Sequence, residues 1–382
     1  MNLLRLAFLS CLTFASATVA ATPATKPATD ARPDAGVARI DPARLDASLR
    51  RFVDAGEIVG ASALVWHDGR EAYFGAFGMA DREAGKPMAR DTIVRIFSMT
   101  KPVTGVALMQ LYEQGRFQLD DPVSRYLPEF ARVRVYAGTD AQGRPLLVAP
   151  ERPITIRDLM RHTAGFVGGN DAPGPVGAMY RKADPENFDN TLAEEVRRIA
   201  SVPLLYQPGT RWLYSPAVDV QARLVEVFSG QPFDAYLQAH VFEPLGMKDT
   251  RYVVRAADRD RFAALYLRSD DGVSTVRLMA TDALPRAVGP HDRSWLPSKG
   301  QVGFGIDFAV RIAPPADAGE ASGEVGEFFW DGAANTLFWV DPVNDLAAVL
   351  FAQWLPFGKV PLHKAFRDAV YHDDTSAAAP RD

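Results

Sequence analysis

The chain of 382 residues contains one cysteine, Cys11, which lies in an apolar stretch near the N-terminus. A chain that loses this stretch has no thiol, which excludes disulfide bonds, cysteine nucleophiles and cysteine-bound metals. The six histidines lack the spacing of metal ligands, and neither a complete glycine-rich nucleotide loop nor a Gly-x-Ser-x-Gly nucleophile elbow occurs. The sequence therefore predicts a protein without a metal or a cofactor.

An excess of positive charge is also absent, because 42 lysines and arginines stand against 47 aspartates and glutamates and give a formal net charge of −5. Nucleic-acid binding requires a basic face, so no nucleic-acid partner is predicted. Hydrophobic residues make up 47% of the chain, which excludes a disordered protein and suffices for a large core. The length predicts two or three structural units, and the composition leaves the oligomeric state open.

Residues 1–21 have the pattern of a secretory signal peptide, with a positive charge at Arg5, an apolar run and then small residues. An uncleaved membrane anchor is the alternative, but the apolar run is shorter than the ~20 residues that span a bilayer. A lipoprotein signal ending at Cys11 fits poorly, since the apolar run before it is too short. Residues 22–38, rich in alanine, threonine and proline, resemble a flexible linker. We therefore expect an exported protein, periplasmic or secreted, with no membrane span in its mature chain.

The pattern of secondary structure changes along the chain. Strand signals dominate near both ends, and helical periodicity dominates the middle. This predicts a sheet domain of residues 39–98 and 251–372, a mostly helical domain of residues 99–250 and a tail of residues 373–382. Strands at both ends suggest one antiparallel sheet assembled from both ends and flanked by helices, an α/β (α+β) architecture.

Individual elements are also predicted. The first helix begins at Pro42 with Asp41 as its cap and stops at Gly56, and Asp68-Gly69 suits a tight hairpin turn. The other predicted helices are residues 100–114, 156–161, 192–199, 217–228 and 362–371, and the predicted strands are residues 61–66, 71–77, 328–330, 336–340 and 347–352.

Ser98 and Lys101 form a Ser-x-x-Lys motif at the start of the predicted helix 100–114. Residues three apart on a helix face the same way, so the two side chains can form a hydrogen bond. A serine hydroxyl is a weak nucleophile until a base takes its proton, and a lysine can be that base if burial and neighbouring charge lower its pKa. A capping serine followed by a solvated lysine gives the same pattern, so the motif alone does not define a site.

Two further segments are suited to a site. Tyr214 lies on a loop before the predicted helix 217–228, where its phenol can exchange a proton, although a packed aromatic residue is the simpler interpretation. The segment Trp330-Asp331-Gly332-Ala333 ends a predicted strand, and small residues there allow a substrate to approach backbone N–H groups. Taken alone, this segment indicates only a bulge.

The order and context of these three motifs resemble the class C β-lactamase and serine-esterase family. The resemblance spans about residues 43–372 and includes the surrounding stretches Leu-Met-Arg-His-Thr-Ala-Gly (159–165), Pro-Gly-Thr-Arg-Trp (208–212) and Pro-Leu-Gly-Met-Lys-Asp-Thr (244–250). It implies a β-lactamase/transpeptidase-like fold. On this chain it implies Ser98 as the acylated nucleophile, with Lys101 and Tyr214 sharing the general-base and general-acid roles. It also implies an oxyanion hole made by the backbone N–H groups of Ser98 and Ala333.

Two departures from the family's pattern bear on the substrate. β-Lactamases and D-Ala-D-Ala peptidases carry Lys-Thr-Gly in the third motif, where the cation holds the substrate carboxylate, whereas this chain has Trp330, Asp331 and Gly332. A Trp-x-Gly form is typical of the esterase branch, and the second motif ends in Pro216 where lactamases have asparagine. We therefore expect an exported serine hydrolase that cleaves small carboxylic esters, with the acyl group packed on Trp330. A β-lactamase or D-Ala-D-Ala carboxypeptidase acting on an amide is the alternative.

A third departure lies between Thr250 and Gly303, where the family has a glycine-rich strand and an amphipathic helix. Here Leu265–Arg268 runs into residues 270–279, which resemble the family's segment on the C-terminal side of that helix. We therefore expect an internal deletion near residues 268–275. It leaves a third possibility open, a penicillin-binding-like module whose catalysis the deletion has impaired.

Overall fold

The computed structural model describes residues 40–169, 172–269, 272–275, 302–305, 307–317 and 319–371. The predicted signal peptide, linker and C-terminal tail lie outside the described residues. Within the described part of the chain, no helix is long and apolar enough to cross a membrane.

The first helix begins and ends where the sequence indicates. The carboxylate of Asp41 accepts hydrogen bonds from the N–H groups of Ala43 and Arg44 at 2.9 and 3.3 Å, which caps the helix start. Gly56, with a φ of 68°, ends it. The α-helices of the described residues are α1 (Pro42–Asp54), α2 (Thr100–Glu113), α3 (Ile156–Met160), α4 (Gly174–Ala183), α5 (Leu192–Ala200), α6 (Ala217–Ser229), α7 (Phe233–Leu237) and α8 (Leu362–Val370).

The strands are β1 (Gly60–His67), β2 (Arg70–Asp81), β3 (Lys86–Pro87), β4 (Val135–Thr139), β5 (Pro145–Val148), β6 (Tyr266–Ser269), β7 (Gly272–Thr275), β8 (Val302–Phe304), β9 (Ala309–Arg311), β10 (Phe328–Gly332), β11 (Thr336–Asp341), β12 (Leu346–Ala352) and β13 (Trp354–Leu355). Eight of them form one sheet in the order β3-β2-β1-β12-β11-β10-β9-β8. Strands β13, β6 and β7 form a second sheet, and β4 pairs with β5.

The pairing of β1 with β12 confirms that both ends of the chain build the main sheet. The two strands run antiparallel, from Ala61 opposite Ala352 to His67 opposite Leu346. Asp68 and Gly69, with φ of 50° and 69°, form the predicted tight turn between β1 and β2. The predicted mixed α/β architecture with a large antiparallel sheet is therefore confirmed.

The described residues form two large hydrophobic cores. Helices α1 and α8 pack on the main sheet through Leu45, Leu49 and Phe366, all fully buried. The second core is formed mainly by α2, α3, α5, α6 and α7, with Leu108, Leu159 and Leu224 fully buried. Buried apolar side chains of this kind each stabilise the fold by roughly 1.5–3 kcal/mol.

The sequence missed the short and irregular elements. Helices α4 and α7, the β4–β5 hairpin inside the helical region and the three-residue strands β8 and β9 had no clear periodic signal. Between Thr250 and Gly303, the described residues form a 3-10 helix, Ala256–Arg261, and strands β6 and β7. Residues 270–271 and 276–301, where the expected deletion and its flank fall, lie outside the described residues.

Candidate active site

Ser98 lies in a short 3-10 turn, Phe97–Met99, that leads directly into α2. Phe97 has a φ of 49°, in the left-handed region that bulky side chains rarely adopt. The turn is held from outside, because the Thr336 hydroxyl of β11 donates to the Ile96 carbonyl at 3.2 Å. A strained residue that neighbouring structure holds in place restricts the orientation of Ser98.

Lys101 follows Ser98 by three residues, and its side chain returns to the serine. The Lys101 Nζ donates a hydrogen bond to the Ser98 Oγ over 3.1 Å. The helical geometry that the sequence indicated is sufficient to produce this contact. Both side chains are half-buried, so a substrate can reach the hydroxyl while the ammonium group remains largely enclosed.

The end of β10 lies against the nucleophile turn. A Cβ added to Gly332 would come within 2.4 Å of the Ile96 carbonyl oxygen and 3.1 Å of the Phe97 Cβ, so a glycine is required there. The chain then turns sharply, since the Asn335 N–H donates to the Gly332 carbonyl at 3.0 Å and Asn335 has a φ of 59°. Ala333, half-buried, lies in this turn one residue from Gly332. The structure thus places the predicted oxyanion-hole segment beside the turn that carries Ser98.

Tyr214 reaches Lys101 from the segment before α6. The Lys101 Nζ lies 4.5 Å from the centre of the Tyr214 ring. His162 holds the tyrosine segment on both sides: its carbonyl accepts from the Leu213 N–H at 3.0 Å, and its Nδ1 accepts from the Ser215 N–H at 3.3 Å. Burial, together with the charge of Lys101, lowers the pKa of His162 to about 3, so the ring is neutral. His162 is therefore a structural hydrogen-bonding residue that fixes the segment around Tyr214.

Aromatic rings surround Tyr214. The Trp330 ring lies 5.6 Å from Tyr214 and 5.2 Å from Phe304, and Phe304 contacts Trp212 and His162 at 5.4 and 5.3 Å. Trp330 is only 3% exposed and Asp331 also 3%, so both side chains belong to the interior. The expectation that an acyl group packs on Trp330 does not fit this burial. The Trp330 ring packs against Tyr214 instead.

The charge of Lys101 differs from the sequence-based prediction. Burial lowers the pKa of Lys101, as predicted, but the charge and hydrogen bond of Tyr214 and the charges of Asp219 and Asp307 raise it. The net shift is upward, so the expectation of a lowered pKa is wrong. These groups favour the ammonium form of the lysine.

Two acidic residues near Lys101 were not identified from the sequence. Asp219 lies in the first turn of α6, and burial raises its pKa against the opposing effect of Lys101. Asp307 is fully buried between β8 and β9, and burial raises its pKa to about 8, opposed by its hydrogen bond with Gln221 and the charge of Lys101. Asp219 follows Tyr214 by five residues and could have been noticed for that reason. Asp307 has no signal in the sequence. Among the described residues, no three His, Cys, Asp or Glu side chains form a group that could hold a metal ion.

Comparison with protein families gives a match over most of the chain. A family model described as Beta-lactamase matches residues 45–372. Protein Rv1367c of Mycobacterium tuberculosis (strain ATCC 25618 / H37Rv) is 32% identical over 364 residues, which cover 81% of this chain and 89% of that protein. Esterase EstB of Burkholderia gladioli is 40% identical over 231 residues, which cover 59% of this chain and 54% of that esterase. Other relatives are named as acyltransferases and as a D-alanyl-D-alanine-carboxypeptidase/endopeptidase.

Solved structures have the same fold. EstCE1, described as a hydrolase with promiscuous acyltransferase activity, superposes with a TM-score of 0.71 at 26% identity and covers 86% of this chain and 98% of its own. Simvastatin Synthase (LovD) from Aspergillus terreus superposes with a TM-score of 0.71 at 20% identity, over 86% of this chain and 97% of its own.

Proposed function

Because this chain belongs to the β-lactamase family and is a serine hydrolase, we propose that it is an exported esterase that cleaves small carboxylic esters through an acyl-enzyme on Ser98. The 3.1 Å hydrogen bond from the Lys101 Nζ to the Ser98 Oγ, with the Tyr214 ring centre 4.5 Å from the same Nζ, carries this proposal. It supplies a nucleophile, a path for its proton and a group to receive that proton.

In the first step, the Lys101–Tyr214 pair, which has lost one proton and shares the remaining one between the lysine nitrogen and the tyrosine oxygen, takes the proton of Ser98. The Ser98 oxygen then attacks the ester carbonyl, and the backbone N–H groups of Ser98 and Ala333 receive the negative charge on the carbonyl oxygen. Collapse of this intermediate breaks the C–O bond, and the Lys101–Tyr214 pair returns the proton to the leaving alcohol. Water repeats the sequence on the acyl-enzyme, releases the carboxylic acid and restores Ser98.

The substrate class follows from the third motif. A β-lactam or a D-alanyl peptide carries a carboxylate, and a cation is required to hold it. Trp330 provides no charge at this position, and Asp331 next to it is acidic. A neutral ester requires no such cation, and EstB, a relative over more than half of the chain, is named an esterase.

The test compares two substrates in one preparation of the protein. We expect p-nitrophenyl acetate or butyrate to be hydrolysed at least tenfold better in kcat/KM than nitrocefin, since a lost charge-assisted hydrogen bond costs roughly 1.5–3 kcal/mol. Ser98→Ala should abolish both activities, whereas Ser201→Ala, at an exposed serine, should change neither. Equal or faster turnover of nitrocefin would favour the lactamase alternative instead.

A fluorophosphonate probe separates an enzyme from an impaired module. Wild-type protein should be labelled on Ser98, and Ser98→Ala should not be labelled. A folded wild-type protein that resists labelling would show that the module has lost its nucleophile chemistry.

A further inference from the structure

Asp307 is a buried acid that the proposed reaction does not use. It is 0% exposed and has a φ of 56°, in the turn between β8 and β9. Its Oδ2 is buried and has no hydrogen-bond partner among the described residues. An unpaired acceptor in the interior costs roughly 1–3 kcal/mol, so the position of this carboxyl requires an explanation.

Three helices that carry site residues or lie next to them, α2, α3 and α6, meet at Asp307. Its N–H donates to the Met160 carbonyl at 3.0 Å, at the end of α3 and two residues before His162. Its Oδ1 accepts from the Gln221 Nε2 of α6 at 3.0 Å. Its Oδ2 lies against α2 at Gly105, where an added Cβ would be 2.6 Å from this oxygen. The carboxyl therefore contacts both α6, which follows Tyr214, and α2, which carries Lys101.

Gly105 is four residues after Lys101, so both lie on the same face of α2, about 6 Å apart along its axis. A glycine in a helix interior costs about 0.5–1 kcal/mol relative to alanine. Gly105 is fully enclosed, and the space that it leaves open is filled by the Asp307 carboxyl. The contact thus explains both the glycine and the buried acid.

We propose that Asp307 is a positioning residue for Lys101: its carboxyl, seated on Gly105 and bonded to Gln221, fixes α2 against α6 and sets the proton affinity of the Lys101–Tyr214 pair. This role rests on the proposed esterase function. At neutral pH the carboxyl is protonated, because it is fully buried and its Oδ2 lacks a donor. The Gln221 Oε1 also lacks a partner among the described residues.

The charge state of Asp307 acts on the pair in a defined direction. The groups that face Lys101 are Tyr214, Asp219 and Asp307, and His162 is neutral. When Asp307 ionises, its negative charge makes the pair hold its proton more tightly. The pair then loses that proton, and the enzyme becomes active, at a higher pH than it would beside an uncharged side chain.

Asp307→Asn tests the coupling, because asparagine keeps the shape, tolerates the positive φ and cannot ionise. We expect the rising limb of kcat/KM against pH, measured with p-nitrophenyl butyrate, to move about one pH unit lower than in the wild type, because the variant removes a negative charge that favours the protonated pair. Asp68→Asn is the control, since Asp68 is an exposed aspartate with a φ of 50°. A variant that loses activity or melting temperature without moving the limb would reduce Asp307 to a structural role and overturn the proposal.

A second pair of variants tests the contact between Gly105 and the Asp307 carboxyl without relying on turnover. Gly105→Ala should lower the melting temperature by about 5 °C, because its methyl group collides with the Asp307 carboxyl. In the double variant Gly105→Ala/Asp307→Gly, the methyl group takes the vacated space, so most of that loss should be recovered. If the losses in melting temperature of the two single variants simply add in the double variant, the Asp307 carboxyl does not pack on Gly105 and the proposal is overturned. If the wild type neither hydrolyses esters nor reacts with the fluorophosphonate, the proposed function fails, while this thermal cycle still decides the contact.

Discussion

The two halves of the candidate site are built in different ways. Ser98 and Lys101 belong to one helix start, and their 3.1 Å contact follows from a spacing of three residues. Tyr214 lies on a distant segment that His162 holds through two backbone hydrogen bonds and that Trp330 supports through ring contact. The first half depends on local geometry, whereas the second depends on buried contacts that form only in the folded chain. The two halves should therefore respond differently to substitution.

The largest effect in the local half is expected for Lys101→Arg. A guanidinium retains its proton throughout the working pH range, so it cannot take the proton of Ser98. We expect kcat/KM for p-nitrophenyl butyrate to fall about 10³-fold, within the range of general acid–base catalysis. The melting temperature should change little, because the positive charge remains beside Tyr214. Lys364→Arg on α8 is the matched control. Activity of Lys101→Arg within tenfold of the wild type would mean that Ser98 transfers its proton without Lys101.

Gly332→Ala tests the contact between β10 and the turn that carries Ser98. The new methyl group would lie 2.4 Å from the Ile96 carbonyl oxygen and 2.3 Å from the Thr336 Oγ1, so β10 must move away from the nucleophile turn. Moving one oxyanion-hole donor typically costs 10²–10³-fold in kcat, and we expect a loss of about 10²-fold. Gly303→Ala in β8, whose Cβ would meet only the Ile312 side chain within 3.5 Å, should have a small effect. Unchanged kcat in Gly332→Ala would place the oxyanion hole elsewhere.

The second half of the site, the Tyr214 segment, is tested at His162. His162→Ala removes the acceptor of the Ser215 N–H and leaves this buried group unpaired, at a cost of roughly 1–3 kcal/mol. We expect a fall in melting temperature and a loss of about tenfold in kcat as Tyr214 becomes less well placed. His162→Asn keeps an acceptor and tolerates the φ of 55°, so it should recover part of both losses. If alanine and asparagine behave alike, the hydrogen bond to Ser215 does not position the tyrosine.

The difference between local geometry and tertiary contacts also explains which parts of the structure could be predicted from the sequence. The main helices and the strands β1, β2, β10, β11 and β12 were predictable, because apolar periodicity, caps and turn residues are local signals. The motifs at Ser98, Tyr214 and Gly332 could be recognised, and the structure brings them together. Strands of three residues, such as β8 and β9, are too short to show a period.

The environment of each group could not be predicted from the sequence. The pKa of Lys101 was expected to be lowered by burial, but the surrounding acids and Tyr214 outweigh burial. Asp307 contributes to this effect from the far end of the chain, and no spacing connects it with Lys101. The burial of Trp330 was missed for the same reason, because the rings of Tyr214 and Phe304 that cover it come from distant segments.

The smallest predicted effect is a pH-dependent stability that belongs to His162. Burial lowers the pKa of the folded histidine to about 3, from its ordinary value of 6.5. The unfolded chain therefore binds a proton that the folded chain does not, and the contribution of His162 to stability is complete above about 6.5. It is lost as the pH falls towards 3, by at most about 1.4 kcal/mol per pH unit. Asp307 acts in the opposite sense, since its raised pKa makes the fold less stable as the pH rises towards 8.

Chemical unfolding of wild type and His162→Asn at about pH 4.5, 5.5 and 7.5 isolates the histidine, because Asp307 is common to both proteins. Asparagine does not titrate, so only the wild type loses stability through this position as the pH falls. The free energy of unfolding of the wild type minus that of the variant should fall by about 1 kcal/mol or more from pH 7.5 to pH 4.5. A difference that is constant across them would mean that His162 is not buried as a neutral ring beside Tyr214.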